Sequence, residues 1–254
     1  MTSSAGIGTR VVLVRPLQSG NVGSVARAMA NFGLDRWSIV QAPAFDPDQA
    51  RWMAPGAHHV VDSAEHCATV AQALEGATLV LATTTRQRRW RRPAIGPEEA
   101  AERLLDAGDG GALLFGPEDT GLTTEDLKLA DALVTIPTGG LESLNLAHAA
   151  VVVFRALFEA SRRRGTAPVA RNRQRSRGGA SKPRRGAVQE PVADVTLRAA
   201  LVDEAVRAVL ASGYVRGRSV EQIETTLFDL LARAAPTERE ARMLRGMLKK
   251  VAQR

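Results

Sequence analysis

A chain of 254 residues with 44% hydrophobic and 24% charged side chains is long enough for one large domain or two small ones around a real core. This composition excludes a wholly disordered or collagen-like chain, and the single cysteine, Cys67, excludes an intramolecular disulfide framework and a cysteine-built zinc cluster. The net charge of +7 is unevenly spread: residues 1–160 hold 13 basic against 18 acidic side chains, 161–191 hold 10 against 1, and 192–254 hold 11 against 8. The basic character therefore sits in a short middle segment, attached to a body that is itself acidic. No apolar run approaches the ~18 residues of a membrane span, and no basic-then-apolar leader opens the chain, which reads as soluble and cytoplasmic with no membrane partner.

In chain order, short β-branched runs at 11–14, 38–40, 78–81, 112–115 and 132–136 predict strands. Helical stretches lie between them, at 22–32 (Ala- and Met-rich, closed by Gly33) and at 64–74. The strand runs lack clean polar alternation, as suits a parallel sheet covered on both faces. Residues 143–160 carry Leu144, Ala147, Val151, Phe154 and Phe158 at helical spacing, the pattern of a core-packing amphipathic helix. From Arg162 to Glu190 the apolar residues other than Ala and Val almost vanish, and Gly, Pro and Ser mix with arginine. Nothing there offsets the entropy of ordering, so a flexible linker is expected, either an electrostatic arm for a polyanion or a solvated tether. Residues 195–211, 220–234 and 238–251 then predict three helices, the last begun at Thr237 after Pro236. The domain reading is an α/β body at 1–160, an Arg-rich linker at 161–191 and a small helical module at 192–254, either appended to the body or docked to a dimer.

Three segments have the composition of a site. The first, Gln18-Ser19-Gly20-Asn21-Val22-Gly23-Ser24-Val25-Ala26-Arg27, follows a strand and opens a helix, where backbone N–H groups and the helix dipole favour anions. Its glycines approximate a dinucleotide fingerprint, but Gln18 stands where the first glycine belongs, and Gln41 ends the next strand where a ribose-binding acid is expected, so a nicotinamide cofactor is disfavoured. Arg27 lies among small residues of that helix, so its charge faces a cleft, a partner or solvent. In the second segment, Leu113-Leu114-Phe115-Gly116-Pro117-Glu118-Asp119-Thr120-Gly121-Leu122-Thr123, a buried strand runs into a Gly-Pro turn with two carboxylates, at the strand end where α/β proteins bind ligands. The third runs from Ile136-Pro137 to Ser143-Leu144-Asn145, with Ser143 a candidate helix cap and Asn145 a polar residue inside the first turn.

Together, in this order and spacing, the segments GNVGSVARAM, LLFGPEDTGLT and IPTGGLESLNLAHAAVVVFRAL resemble the SpoU branch of the SPOUT RNA methyltransferases, over residues 10–159. The Arg-rich stretch and the C-terminal helices, with Leu227-Phe228, Pro236-Thr237-Glu238 and Leu244-Arg245-Gly246, are similar to the tRNA 2′-O-ribose methyltransferases of TrmJ type. The resemblance implies a parallel-sheet domain whose last part is threaded into a deep trefoil knot, followed by a small all-α extension, and a homodimer that contacts RNA with both subunits. It implies S-adenosylmethionine as cofactor, held by Thr83, Thr84, Thr85, Gly116, Ile136, Ser143, Leu144 and Asn145; the residues themselves show no metal site, and a divalent ion required through the RNA stays open. It also places Asn21, Arg27, Glu118 and Asn145 in catalytic roles. A ribose hydroxyl needs alignment and help in losing its proton, and a guanidinium is a reluctant base. Arg27 is therefore expected to stabilise the developing alkoxide and position a phosphate, with Asn21 orienting the ribose.

A further cluster, Arg86-Gln87-Arg88-Arg89-Trp90-Arg91-Arg92, places five arginines and an aromatic beside the expected cofactor loop. Arginine forks suit phosphates and Trp90 suits stacking on a base, so Arg86, Arg88, Arg89 and Trp90 are candidate RNA contacts; a Trp90 packed on its own domain is the alternative. The substrate expected from the resemblance is tRNA, at an anticodon-loop nucleotide of the position-32 type. The alternatives are an rRNA 2′-O-methyltransferase and a non-catalytic RNA-binding protein of the same fold. The short stretch before the first strand and the C-terminal placement of the extra module favour tRNA. Retention of Asn21, Arg27, Glu118 and Asn145 favours an enzyme.

Overall fold

The computed structural model describes residues 7–85, 93–141, 143–167, 190–213 and 219–252. The arginine cluster at 86–92, and most of the Arg-rich segment, lie outside these residues. Seven parallel strands make one sheet: β1 (Arg10–Val14), β2 (Trp37–Val40), β3 (Glu65–Cys67), β4 (Leu79–Thr83), β5 (Ala94–Ile95), β6 (Gly111–Phe115) and β7 (Ala132–Val134). Their spatial order is β3-β2-β1-β6-β4-β7-β5, so β7 pairs with both β4 and β5, which are consecutive in the chain.

Successive side chains of a strand point to opposite faces, which lets an unbroken apolar run feed two cores. Val11 and Leu13 of β1 and Leu113 and Phe115 of β6 enter one core with α1 (Ser19–Phe32), α5 (Pro97–Ala107) and α7 (Leu146–Arg163). Val12, Val14, Ala112 and Leu114 enter the other, with α4 (Val70–Ala73) and α6 (Thr124–Lys128). The ring of Phe154 meets Phe115 edge-on at 5.9 Å and seats α7 against β6. Two short helices, α2 (Pro47–Trp52) and α3 (His58–Asp62), lie beside α1, and α3 carries His58 and His59 in its first turn.

Two elements differ from the sequence reading. The stretch 64–74 is not one helix: its first part is the edge strand β3, paired to β2, and α4 begins only after Thr69, whose side chain accepts the Gln72 N–H at 3.1 Å. Pairing with a neighbour distant in sequence overrides local helical pattern here, and Ile39 stands opposite His66 in the register. The helix expected from 143 starts at Leu146, because the cap is Asn145, not Ser143: its Oδ1 accepts the Ala147 N–H at 2.9 Å.

At the far end of α7, Arg163 and Arg164 pair with Glu102 at 2.8 and 2.6 Å and Arg164 with Asp106 at 2.7 Å, tying the helix to α5. Hydrogen bonds from Arg163 and then Arg164 hold the Glu102 carboxyl below the usual range. The first arginines of the basic segment thus belong to the folded body.

The C-terminal helices are α8 (Val195–Ala211), α9 (Val220–Ala234) and α10 (Glu238–Ala252), close to the predicted spans. They dock on the body of the same chain. Val195 enters the second core and donates its N–H to Ala77 O at 2.8 Å. Arg198 forms a two-pronged pair with Asp131; the side chains are 7% and 10% exposed, and Asp131 also accepts the Val80 N–H at 2.8 Å. Lys128 bridges Glu125 at 2.9 Å and Glu224 of α9 at 3.0 Å. Burial pushes the Lys128 ammonium down, but these two carboxylates outweigh it and raise its proton affinity above the ordinary value.

Candidate active site

The carboxyl ends of β4, β6 and β7 face one cleft of about 410 Å³. Each strand continues into one wall. The β4 wall is Thr83, Thr84 and Thr85, with Thr83 Oγ1 donating to Leu114 O at 3.0 Å and so fixing β4 against β6. The β6 wall is the loop from Gly116 to Leu122. The β7 wall comprises Ile136, Ser143 and Leu144, and Leu146 and Ala149 continue it onto α7. Apolar groups (Phe115, Leu122, Val134, Ile136, Leu144) thus share the cleft with threonine hydroxyls and the carboxylates of Glu118 and Asp119. This mixture of apolar side chains and convergent polar groups is that of a small-molecule site.

The β6 wall owes its path to Gly116. A β-carbon there would stand 2.4 Å from Leu122 N and 2.6 Å from Gly121 C, so only glycine lets the loop fold back on itself. Gly121, at φ 66°, completes the reversal, and Thr123 starts α6 with a capping box shared with Asp126.

Beside this wall, four groups form a hydrogen-bond chain across three distant parts of the sequence. Glu118 Oε2 accepts the Leu17 N–H at 3.0 Å and its Oε1 accepts Asn21 Nδ2 at 2.6 Å. Asn21 Oδ1 in turn accepts Asn145 Nδ2 at 3.1 Å, and Asn145 caps α7. With its amide committed on one side to a carboxylate, which only accepts, Asn21 has a single consistent orientation. The chain therefore joins the start of α1, the β6 loop and the start of α7 into one polar rim.

Of the residues named from the sequence, Thr83, Thr84, Thr85, Gly116, Glu118, Ile136, Ser143 and Leu144 line the cleft, and Asn21 and Asn145 join it through Glu118. Arg27 stands apart from this chain: it is exposed on α1 and donates to Pro55 O at 3.1 Å, beyond α2. Arg86, Arg88, Arg89 and Trp90 lie outside the described residues. Gly23 has a packing reason. A β-carbon there would meet Ala50 O at 2.0 Å, so its role is the close contact of α1 with α2. The sequence reading missed Leu17, whose contribution is a backbone N–H and leaves no mark in residue type, and Arg15, the arginine that ends the apolar run of β1. Among the described residues no group of three or more His, Cys, Asp or Glu is placed to hold a metal ion, and no helix is long and apolar enough to cross a membrane.

The strand ends that enclose this cleft and the Asn21–Glu118–Asn145 rim all lie within the part of the chain that matches one family. Residues 8–155 match the SpoU rRNA Methylase family, and the chain belongs to it. Among individual proteins, the chain is similar to the tRNA (cytidine/uridine-2′-O-)-methyltransferase TrmJ of Pectobacterium atrosepticum, 33% identical over 95% of each chain. It is also similar to the tRNA (cytidine-2′-O-)-methyltransferase TrmJ of Methanocaldococcus jannaschii, 36% identical over 58% of this chain and 66% of that one. In structure it is similar to TrmJ from Z. mobilis, with a TM-score of 0.77, 31% identity, and coverage of 96% of this chain and 98% of that one.

Proposed function

We propose that this chain is an S-adenosylmethionine-dependent tRNA 2′-O-ribose methyltransferase, working as a homodimer on an anticodon-loop nucleotide of the position-32 type. The observation that carries the reading is the Glu118–Asn21–Asn145 chain at the rim of a three-walled cleft, in a member of a methylase family whose full-length relatives bear tRNA 2′-O-methyltransferase names. The donor set fits the cofactor: apolar side chains from β6 and β7 suit an adenine ring, threonine hydroxyls and loop backbone suit a ribose, and Glu118 and Asp119 complement a cation. When bound, S-adenosylmethionine supplies a methyl group on a cationic sulfur, so the protein's work is alignment. Asn21, oriented by Glu118, presents polar atoms toward an incoming ribose. Arg27, with a guanidinium free to swing from Pro55 O, takes a phosphate or the developing alkoxide. The proposal includes a deep trefoil knot in the last part of the sheet domain, as the family membership implies. Support for the dimer comes from Leu17, Trp52, Met53, Val151 and Val152, large apolar side chains in the open around α1, with Trp52 81% exposed.

The direct test is transfer of labelled methyl from S-adenosylmethionine to unmodified tRNA, with the modified position mapped. Absence of both cofactor binding and transfer would leave a non-catalytic RNA-binding protein, and transfer to rRNA alone would shift the substrate. Gly116→Ala is expected to weaken S-adenosylmethionine binding by at least about tenfold, since the loop must open to seat a β-carbon. Calorimetry checks this, and an unaltered Kd would remove the β6 loop from the binding site.

We assign the Arg-rich segment between α7 and α8 to RNA contact. Because Arg162, Arg163 and Arg164 are paired with carboxylates of the body, the deletion that isolates it is 168–185, which removes seven basic residues. That deletion is expected to weaken tRNA binding and reduce the slope of log K against log salt by up to about 5, leaving cofactor affinity intact. An unchanged slope would reduce the segment to a tether.

A further inference from the structure

Arg15 stands immediately after β1 with φ 49°, in the left-handed region that an L residue adopts only when its surroundings hold it there. Two contacts hold it. Its N–H donates to Val40 O at 2.8 Å, and its guanidinium takes both oxygens of Asp126, Nη2 against Oδ2 and Nη1 to Oδ1 at 3.4 Å. Asp126 is 7% exposed, and the same carboxylate accepts the N–H and the hydroxyl of Thr123, each at 2.8 Å. Thr123 closes the β6 loop, whose other end is Gly116 and whose tip carries Glu118. The segment 15–21 therefore grips the segment 116–126 at two levels, through Arg15 and Asp126 at the base of the loop and through Leu17, Asn21 and Glu118 at its tip.

We infer that Arg15 is a positioning residue for the methyl donor: by clamping Asp126 it sets where the Gly116–Leu122 wall stands, and through that wall the shape of the cofactor cleft. The inference rests on the reading of this cleft as the S-adenosylmethionine site. A bidentate guanidinium–carboxylate pair suits the task because it fixes direction as well as distance, which an ammonium does not. The pair is one-third open on the arginine side and nearly closed on the aspartate side, so the carboxylate has few alternatives to this partner.

The test uses the full chain and reads cofactor affinity, RNA affinity without cofactor, and the melting temperature separately. Arg15→Gln is expected to weaken calorimetric S-adenosylmethionine binding by about tenfold, with KM for the cofactor rising in proportion and kcat at saturation falling about twofold or less. Asp126→Asn should behave alike, and the double variant no worse than either single one, since both remove one contact. Arg15→Lys keeps the charge and one donor, and should recover part of the loss. Wild-type protein that binds the cofactor beside Arg15→Gln protein that binds it equally well overturns the inference. So does a variant that loses RNA affinity alone, which would make Arg15 a phosphate contact. Should Arg15→Gln fail to fold, Arg15→Lys decides: a weakened cofactor Kd supports the clamp and an unchanged one overturns it. Wild-type protein that does not bind S-adenosylmethionine at all sinks the cleft assignment itself, a result distinguishable from the others.

Discussion

Replacing Asn145 by alanine is expected to lower kcat/KM for tRNA methylation by about two orders of magnitude while costing the fold only about 1 kcal/mol. The two effects separate because Asn145 does two things with two different atoms. Its Oδ1 caps α7 through Ala147 N, and its Nδ2 donates to Asn21 Oδ1. Asn145→Asp keeps an acceptor for the cap and loses the donor, so it should melt near the wild-type temperature yet remain as inactive as the alanine variant. Steady-state kinetics beside thermal melting make the comparison. Activity above half of wild type in Asn145→Asp would show that the Asn21–Asn145 contact has no share in catalysis and that Asn145 serves the helix alone.

The largest stability effect is expected at the junction of the C-terminal helices with the body. Arg198→Ala strands the Asp131 carboxylate in a site that is nearly dry, at a cost of about 3–5 kcal/mol. Asp131 has a second duty, accepting Val80 N–H at the start of β4, so its displacement is felt in the sheet as well as at the junction. The double variant Arg198→Met with Asp131→Asn removes both charges and keeps an acceptor for Val80. It should recover part of the loss, because no unpaired charge is left buried; the amide that replaces the carboxylate keeps an unmatched N–H group, which costs less than a stranded charge. Urea unfolding followed by circular dichroism, with limited proteolysis to see whether α8–α10 separate first, measures both. A loss below about 1 kcal/mol for Arg198→Ala would mean that the junction does not bear on stability.

The parallel sheet was legible because five of its strands are continuous apolar runs, long enough to feed two cores at once. The remaining two were not. In β3 (Glu65–Cys67) two of three side chains are exposed, and β5 has only two residues, so neither carries a hydrophobic signal, and both exist because an edge was available to pair with. At the site, the loops named from the resemblance line one cleft, but the order of contacts within the rim left no trace in the sequence. That Asn145 caps α7 while also reaching Asn21 depends on where α1 and α7 meet, a property of packing with no local trace. Gly23 shows the converse: a glycine in an anion-binding pattern explained by Ala50 pressing on it. Arg15 could have been noticed as a charge ending an apolar strand, yet its partner lies 111 residues away, and no spacing rule links them.

The place of β7 in the sheet also has a consequence for how the chain is made. β4 and β5 leave the ribosome in succession, but the gap between them is filled by a strand synthesised after the whole of α5, β6 and α6. Until then both flanking strands present open edges, which are templates for pairing with other chains, and the closing contacts are long-range ones that form slowly. One wall of the cleft and the Asn145 end of the rim arrive only with and after β7. A nascent chain halted before residue 132 thus has six of the seven strand segments but neither the β7 wall of the cleft nor the α7 part of the first core, so stabilisation by a ligand in the cleft is available only to molecules whose topology is already complete.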